Sequence, residues 1–341
     1  MQQSNVHPRT ERLQDIELAK GLAIFLVVLG HIVAREPPAN NQWYVVLKAA
    51  IYLFHMPFFM YLSGYVTFLT GAASAPLKTW GNLVKKRAFR LLLPFFIFGL
   101  VIIAGKIVLS QFIFVDNKPG SIGQAIMDIL WYTDRSPATS VWYIAVLFMY
   151  CIVTPLLMRL SGERVYLILA ASVILYFVSL PHVMYLDRFA RYYAFFVFGG
   201  LAVRFGSRWG ELIDKYATIS LLIFLAVVSF VVSSPRLVAM PNEMLFICGF
   251  LSIPALHGLV RMHPFSRSGI LLIFGSYSFV IYLLNTPFIG LVKGLLLRIT
   301  PWDGKAFLLF APLLLAAGLG LPILLKRYVF RHVPWLDRFT S

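Results

Sequence analysis

The chain has 341 residues, 60% of them hydrophobic and only 13% charged, with a mean hydropathy of +0.80. Soluble domains are about a quarter charged, so this composition excludes a soluble globular core and fits a polytopic helical membrane protein. The formal charge of +16 would point to nucleic acid in a soluble chain. Here the basic residues sit mainly in short gaps between apolar runs, where topology and anionic lipid account for them, and no nucleic-acid partner is expected.

A membrane span needs about 20 apolar residues. Ten candidates follow one another, near 16–35, 45–70, 89–115, 139–158, 164–181, 189–206, 217–233, 242–260, 270–292 and 305–325. The runs are continuous rather than alternating, which argues against a lipid-facing barrel. The first is too long for a signal core and is followed by no small-x-small cleavage site, so it reads as an uncleaved first span. It carries Lys20 near its start and His31 deep in its apolar run. At 100° per residue the two share one helix face, about 16 Å apart along the axis. Lys20 alone can snorkel to headgroups. His31 has no such escape, and ionisable groups inside a membrane default to function, although a structural histidine satisfied by a neighbouring helix is the alternative.

The second span holds LFHMPFFMYLSGY, residues 53–65. His55 is again a residue that lipid would not select. Met56-Pro57 frees a backbone carbonyl and predicts a kink, and Ser63-Gly64 offers a surface for close helix approach. The third span opens with KKRAFRLLLPFF, residues 85–96. Lys85 and Lys86 read as topology anchors. Arg87 and Arg90, three apart on one helix face, are either further anchors or a fork for phosphate. The longest gap, 116–138, contains DNKPGS and TDRSPATS, which is loop chemistry. Cys151 and Cys248 fall in apolar runs without metal-ligand companions, so they read as packing residues and no metal is expected.

No repeat, linker or soluble domain interrupts the pattern, which implies a single transmembrane domain over 1–341. The expected fold is an all-α polytopic membrane bundle of about ten helices. An even number of spans puts both termini on one side. Most basic residues fall on that side, which makes it the cytoplasm, although Lys293, Arg298 and Lys305 crowd one outer loop.

The stretches DIELAKGLAIFLVVLGH, FHMPFFMYLSGY, RAFRLLLP, WYIAVLFMYCIVTPLL and FGSYSFVIYLLNTPF occur in this order over residues 10 to 330. Together they resemble the membrane-bound acyltransferase 3 family, and within it the fucose 4-O-acetylase-like sugar O-acetyltransferases. The resemblance implies about ten spans and transfer of an acyl group, usually acetyl from acetyl-CoA, to extracytoplasmic or lipid-linked carbohydrate at the cytoplasmic (inner) membrane. It maps the family's basic residue and histidine onto Lys20 and His31, and its arginine pair onto Arg87 and Arg90. Its aromatic start of the fourth span falls on Trp142 and Tyr143, and its late motif on Ser276, Tyr277, Ile281, Tyr282, Leu283 and Leu284. Many relatives carry histidine where this chain has Asn285, which cannot accept a proton at neutral pH, and this raises the weight on His31.

Both readings converge on an integral membrane O-acyltransferase. His31 is the expected base, with a covalent acyl-histidine as the runner-up, and His55 orients it or binds acceptor. Lys20, Arg87 and Arg90 hold the phosphates of acetyl-CoA, the acyl donor. Trp142, Tyr143 and Asn285 are candidate acceptor contacts, since aromatic surfaces suit sugar faces. The expected partners are the carbohydrate or lipid-linked glycan acceptor and membrane lipids. A secondary transporter or flippase for a sugar-containing substrate, and an O-succinyltransferase, are the alternatives; a transporter would more naturally show half-to-half symmetry, which is not seen.

Overall fold

The computed structural model describes residues 8–33, 38–138, 140–234 and 241–340. Residues 34–35 of the first expected span and 139 of the fourth lie outside the described residues. The helices, in chain order, are α1 (Pro8–His31), α2 (Gln42–Tyr52), α3 (His55–Leu69), α4 (Leu77–Arg87), α5 (Leu93–Leu109), α6 (Ile122–Leu130), α7 (Trp142–Leu160), α8 (Val165–Tyr176), α9 (Leu186–Phe205), α10 (Ser207–Val232), α11 (Asn242–Arg261), α12 (Gly269–Ser276), α13 (Ser278–Leu296), α14 (Ala306–Tyr328) and α15 (Pro334–Phe339). There is no strand among the described residues. Among the described residues, seven segments are long and apolar enough to cross a membrane; α2 with α3 makes one of them and α4 with α5 another. The expected spans near 16–35, 164–181 and 189–206 are also helical, as α1, α8 and α9. Ile174, Leu309 and Phe230 are 70%, 71% and 76% exposed, the pattern of faces turned to lipid rather than to water. The chain is therefore an all-α polytopic membrane protein.

Four local features depart from the sequence expectation, each for a backbone reason. The second span breaks at Leu53-Phe54, slightly before the expected proline kink. Pro57 has no N–H for the carbonyl four residues back, so the ladder opens there and Pro57 falls in the first turn of α3, where a missing donor costs nothing. A π-helical turn, Ala88–Leu92, joins α4 to α5 and contains Arg90. The ninth span is divided at Tyr277 into α12 and α13. The 116–138 segment, expected as loop, contains α6; Ser121 caps it by accepting from the Gln124 amide at 3.2 Å. The Ser-x-x-Gln spacing is a capping-box signature that the sequence carried.

Helix pairs close on glycines. A β-carbon on Gly64 of α3 would lie 1.8 Å from the Phe196 carbonyl oxygen of α9, and one on Gly21 of α1 would lie 2.0 Å from that of Leu271 in α12. Gly275 of α12 returns the contact, with Glu17 O at 2.0 Å. These backbones touch because no side chain intervenes, as the Ser63-Gly64 surface predicted. Gly64→Ala is expected to destabilise the folded protein by at least about 1–3 kcal/mol, since the clash is with backbone. Gly81→Ala, where nothing lies within 4 Å, is the neutral control. Thermal unfolding in detergent compares the two.

Polar locks define the two ends of the bundle. At one end Arg261 of α11 donates to Asp15 of α1 at 2.5 Å and to both carboxylate oxygens of Asp214 in α10, at 2.6 and 2.7 Å. Beside it the Trp209 indole donates to Tyr61, whose hydroxyl meets His257 Nδ1 at 2.8 Å. The same end carries the Ser74–Glu163 contact and the Lys326–Asp337 pair between α14 and α15. The Lys326 ammonium holds the Asp337 carboxyl below the usual carboxylate range. The opposite end carries the tip of α1 with His31, the loop around Asp116, and the start of α9.

Candidate active site in an apolar cavity

The last carbonyls of a helix lack intrahelical partners. In α1 they are taken by one face of α2. Tyr44 OH donates to Leu29 O at 2.7 Å, Tyr52 OH to Gly30 O at 3.1 Å and Lys48 Nζ to Val33 O at 2.6 Å. The three donors are spaced four apart, so they form one stripe. They end α1 at His31, which is thus the last helical residue rather than one deep within the helix.

His31 meets a residue 254 positions away. Its Nδ1 lies 2.9 Å from Asn285 Oδ1. The Asn285 amide nitrogen lies 2.9 Å from Ile281 O and 2.8 Å from Tyr282 O. Both carbonyls only accept, so the NH2 group must face them and the amide oxygen must face His31. The hydrogen of neutral His31 is therefore on Nδ1, and the lone pair is on Nε2. Asn285 is fully buried, and Pro287 two residues on leaves α13 without one ladder donor next to it.

His55 is built similarly. Its Nδ1–H donates to Ile51 O at 2.8 Å, a carbonyl at the break between α2 and α3 that also accepts Phe54 N–H at 3.2 Å. Neither His31 Nε2 nor His55 Nε2 has a hydrogen-bond partner among the described residues. Both residues line one cavity of about 600 Å³. His31 is held by Asn285 and not by His55, which leaves His55 as a second ring nitrogen on the same space.

The cavity wall is mostly apolar, with Met56, Phe98, Ile102, Leu284 and Ile289 among its residues. Trp142 lines it, stacked at 5.2 Å on Tyr192. Tyr282 also lines it; its hydroxyl accepts the Tyr143 N–H at 3.2 Å, so the hydroxyl hydrogen remains to be donated. Three cations face this space, Lys106, Arg188 and Lys293, against one acid, Asp116. Lys106 Nζ donates to the backbone oxygens of Asp116 and Pro137 at 2.9 and 2.8 Å. Lys293 Nζ pairs with Asp116 at 2.8 Å and sits 4.0 Å above the Trp302 ring. Lys293 had read as a charge of an outer loop; it is 3% exposed inside α13 and closes one side of the cavity.

The remaining sequence candidates lie elsewhere. Tyr143 is buried behind the wall, its hydroxyl 2.6 Å from Ser63 and its ring against Phe59 and Tyr282. Lys20 is half-buried and paired with Glu17 at 2.6 Å. Arg87 ends α4, and Arg90 lies within the π-helical turn that follows it. None of these three cations lines the cavity. Sequence reasoning missed Tyr52, Lys106, Asp116 and Arg188. Asp116 and Arg188 stand at the edges of apolar runs, where a topology role is equally natural, whereas Tyr52 and Lys106 lie inside the expected spans 45–70 and 89–115.

Residues 13–327 match the family described as an acyltransferase domain, acyltransferase 3. The chain belongs to that family, and with the fold this defines a multi-pass membrane protein of the acyltransferase 3 class. Among curated proteins it is similar to nodulation protein NolL of Sinorhizobium fredii (strain NBRC 101917 / NGR234), 41% identical over 81 residues, 23% of this chain and 21% of that protein. It is also similar to nodulation protein NolL of Mesorhizobium japonicum (strain LMG 29417 / CECT 9101 / MAFF 303099), 38% identical over 82 residues, 24% of this chain and 21% of that protein. The matched region thus spans about a fifth of the length of these relatives. No solved structure gives a significant match.

Proposed function

We propose that the protein is an O-acyltransferase that moves an acyl group, acetyl first among them, from acyl-CoA on the cytoplasmic side to a hydroxyl of an extracytoplasmic or lipid-linked carbohydrate. The observation that carries this reading is the His31–Asn285 pair, which turns a basic ring nitrogen toward an apolar cavity. Acyl transfer to a hydroxyl needs a base for its proton and a donor for the developing oxyanion. His31 Nε2 takes the acceptor proton as the hydroxyl oxygen bonds to the thioester carbon. The same nitrogen returns the proton to the departing thiolate when the carbon–sulfur bond breaks. The Nδ1–H stays on Asn285 throughout. Tyr282 donates to the carbonyl oxygen, and Trp142 lines the space that the sugar enters. Arg87 and Arg90, at the end of the bundle opposite His31, hold the donor's phosphates.

Purified protein incubated with labelled acetyl-CoA and a glycan extract tests this: an acyltransferase releases CoA and labels the acceptor, whereas a carrier does neither. For the donor grip, Arg87→Ala and Arg90→Ala are each expected to weaken acetyl-CoA binding about 10- to 100-fold, the worth of a charge-assisted hydrogen bond. Lysine replacements recover only part, because an ammonium makes no bidentate contact. Wild-type affinity in both alanine variants would leave the arginines as topology anchors.

The orientation places both termini and the Lys78–Arg90 segment in the cytoplasm and the His31 end outside, following the bias of basic residues. Single cysteines at Ser4 and Ser121, probed with an impermeant maleimide in intact cells, are expected to label at 121 and not at 4. The reverse result inverts the donor side.

A further inference from the structure

We propose that Arg188 is a recognition site for an oxyanion, a carboxylate or a phosphate, on a molecule that enters the His31 cavity. It rests on the acyltransferase reading for one point only, that this molecule is the acceptor.

Arg188 stands in the first turn of α9 and lines the cavity with His31, Trp142 and Tyr192. Its guanidinium carbon lies 4.8 Å from the Trp142 ring centre and 5.5 Å from that of Tyr185. Aromatic faces hold a guanidinium by its plane and leave its N–H edge for a ligand. Among the described residues, its side chain makes no ion pair and no hydrogen bond, and Nη1 is buried without a partner. Neither neighbouring acid pairs with it: Asp187 meets His182 through one oxygen at 2.9 Å and leaves its other oxygen buried without a partner, and Asp116 pairs with Lys293 at 2.8 Å. Lys106 differs from Arg188 in being met by two backbone carbonyls.

A guanidinium nitrogen buried without a partner is a costly arrangement that a bound carboxylate or phosphate relieves. The turn before it adds to the case. Met184 and Tyr185 adopt φ of 50° and 62°, a left-handed pair of non-glycine residues that brings the Tyr185 ring to Arg188. Such strain persists only where surrounding structure holds it. Trp142, Tyr192 and Tyr282 line the same cavity beside Arg188, so an anion-reading edge stands next to an aromatic wall, the combination that suits an acidic or phosphorylated glycan.

The test uses the full chain, purified in a neutral detergent, and measures binding rather than turnover. The probes are nitrophenyl glucuronide, nitrophenyl phosphate and the neutral nitrophenyl glucoside, each bound to wild type, Arg188→Gln and Arg188→Lys. Wild type is expected to bind at least one oxyanion probe about tenfold or more tightly than the glucoside, as a charge-assisted contact gives. Arg188→Gln removes that preference without changing glucoside affinity, and Arg188→Lys keeps part of it. A second arm compares succinyl-CoA with acetyl-CoA. A preference for the succinyl thioester that Arg188→Gln abolishes places the oxyanion on the acyl group of the donor rather than on the acceptor. Equal wild-type affinities in both arms, or a preference that survives Arg188→Gln, overturns the site. If Arg188→Gln fails to fold, judged by its unfolding midpoint, the wild-type and lysine affinities decide alone. Because binding is read without transfer, absence of acetyl transfer would remove the acyltransferase reading and leave the oxyanion site standing.

Discussion

His31→Gln is expected to slow acyl transfer by roughly 10²–10⁴-fold, the contribution of a positioned acid–base group, with no fall in folded protein. Glutamine keeps a hydrogen-bonding side chain at the end of α1 but has no nitrogen that titrates. The end itself is fixed by Tyr44, Lys48 and Tyr52, which cap the carbonyls around position 31 without using the imidazole. His31→Ala should therefore lose activity to the same extent and also remain folded. A merely structural histidine behaves differently: glutamine retains part of its role, and alanine costs stability along with activity. Unfolding midpoints of the two variants, set beside their transfer rates, separate the cases.

Asn285→Leu is expected to lower kcat by roughly 10- to 10³-fold, because a base in the wrong tautomer or orientation loses most of its advantage. Leucine has similar bulk, so the site stays filled, but nothing accepts the His31 Nδ1–H. The hydrogen is then free to move to Nε2, where it blocks proton abstraction. KM for acetyl-CoA should change little, since Asn285 acts through His31 and lies far from the arginine pair. Asn285→His should recover part of the loss, because a neutral imidazole can still accept from His31. A fall in KM-dependent terms alone, with kcat intact, would make Asn285 an acceptor contact instead of a positioning residue.

Much of this arrangement was legible in the chain. The apolar runs gave the polytopic helical fold. Lys20 and His31 stood out because lipid solvates neither, and Ser63-Gly64 marked a place where α3 and a second backbone touch, now identified as Phe196 of α9. What could not be read was pairing across the sequence. Nothing local to FGSYSFVIYLLNTPF says that Asn285 meets His31, so the position read only as a missing base and a possible sugar contact. Pro57 predicted a kink, whereas the chain breaks at Leu53-Phe54, and there the Ile51 carbonyl accepts from both Phe54 N–H and His55. Arg188 and Lys293 gave the weakest signals. Basic residues at span ends are usually topology markers, and only burial distinguishes a lysine at 3% exposure from a loop lysine. The Ser121–Gln124 cap of α6 stands in the sequence between Gly- and Pro-rich flanks that read as loop.

The central claim is that His31 presents an unprotonated Nε2 to the cavity. Nitrogen NMR on protein labelled at histidine measures this directly, because protonated and bare ring nitrogens resonate far apart, and the His31→Gln spectrum assigns the signal. A neutral His31 with hydrogen on Nδ1 is expected in the wild type, with transfer of that hydrogen toward Nε2 in Asn285→Leu. A wild-type His31 that carries its hydrogen on Nε2 would contradict that claim.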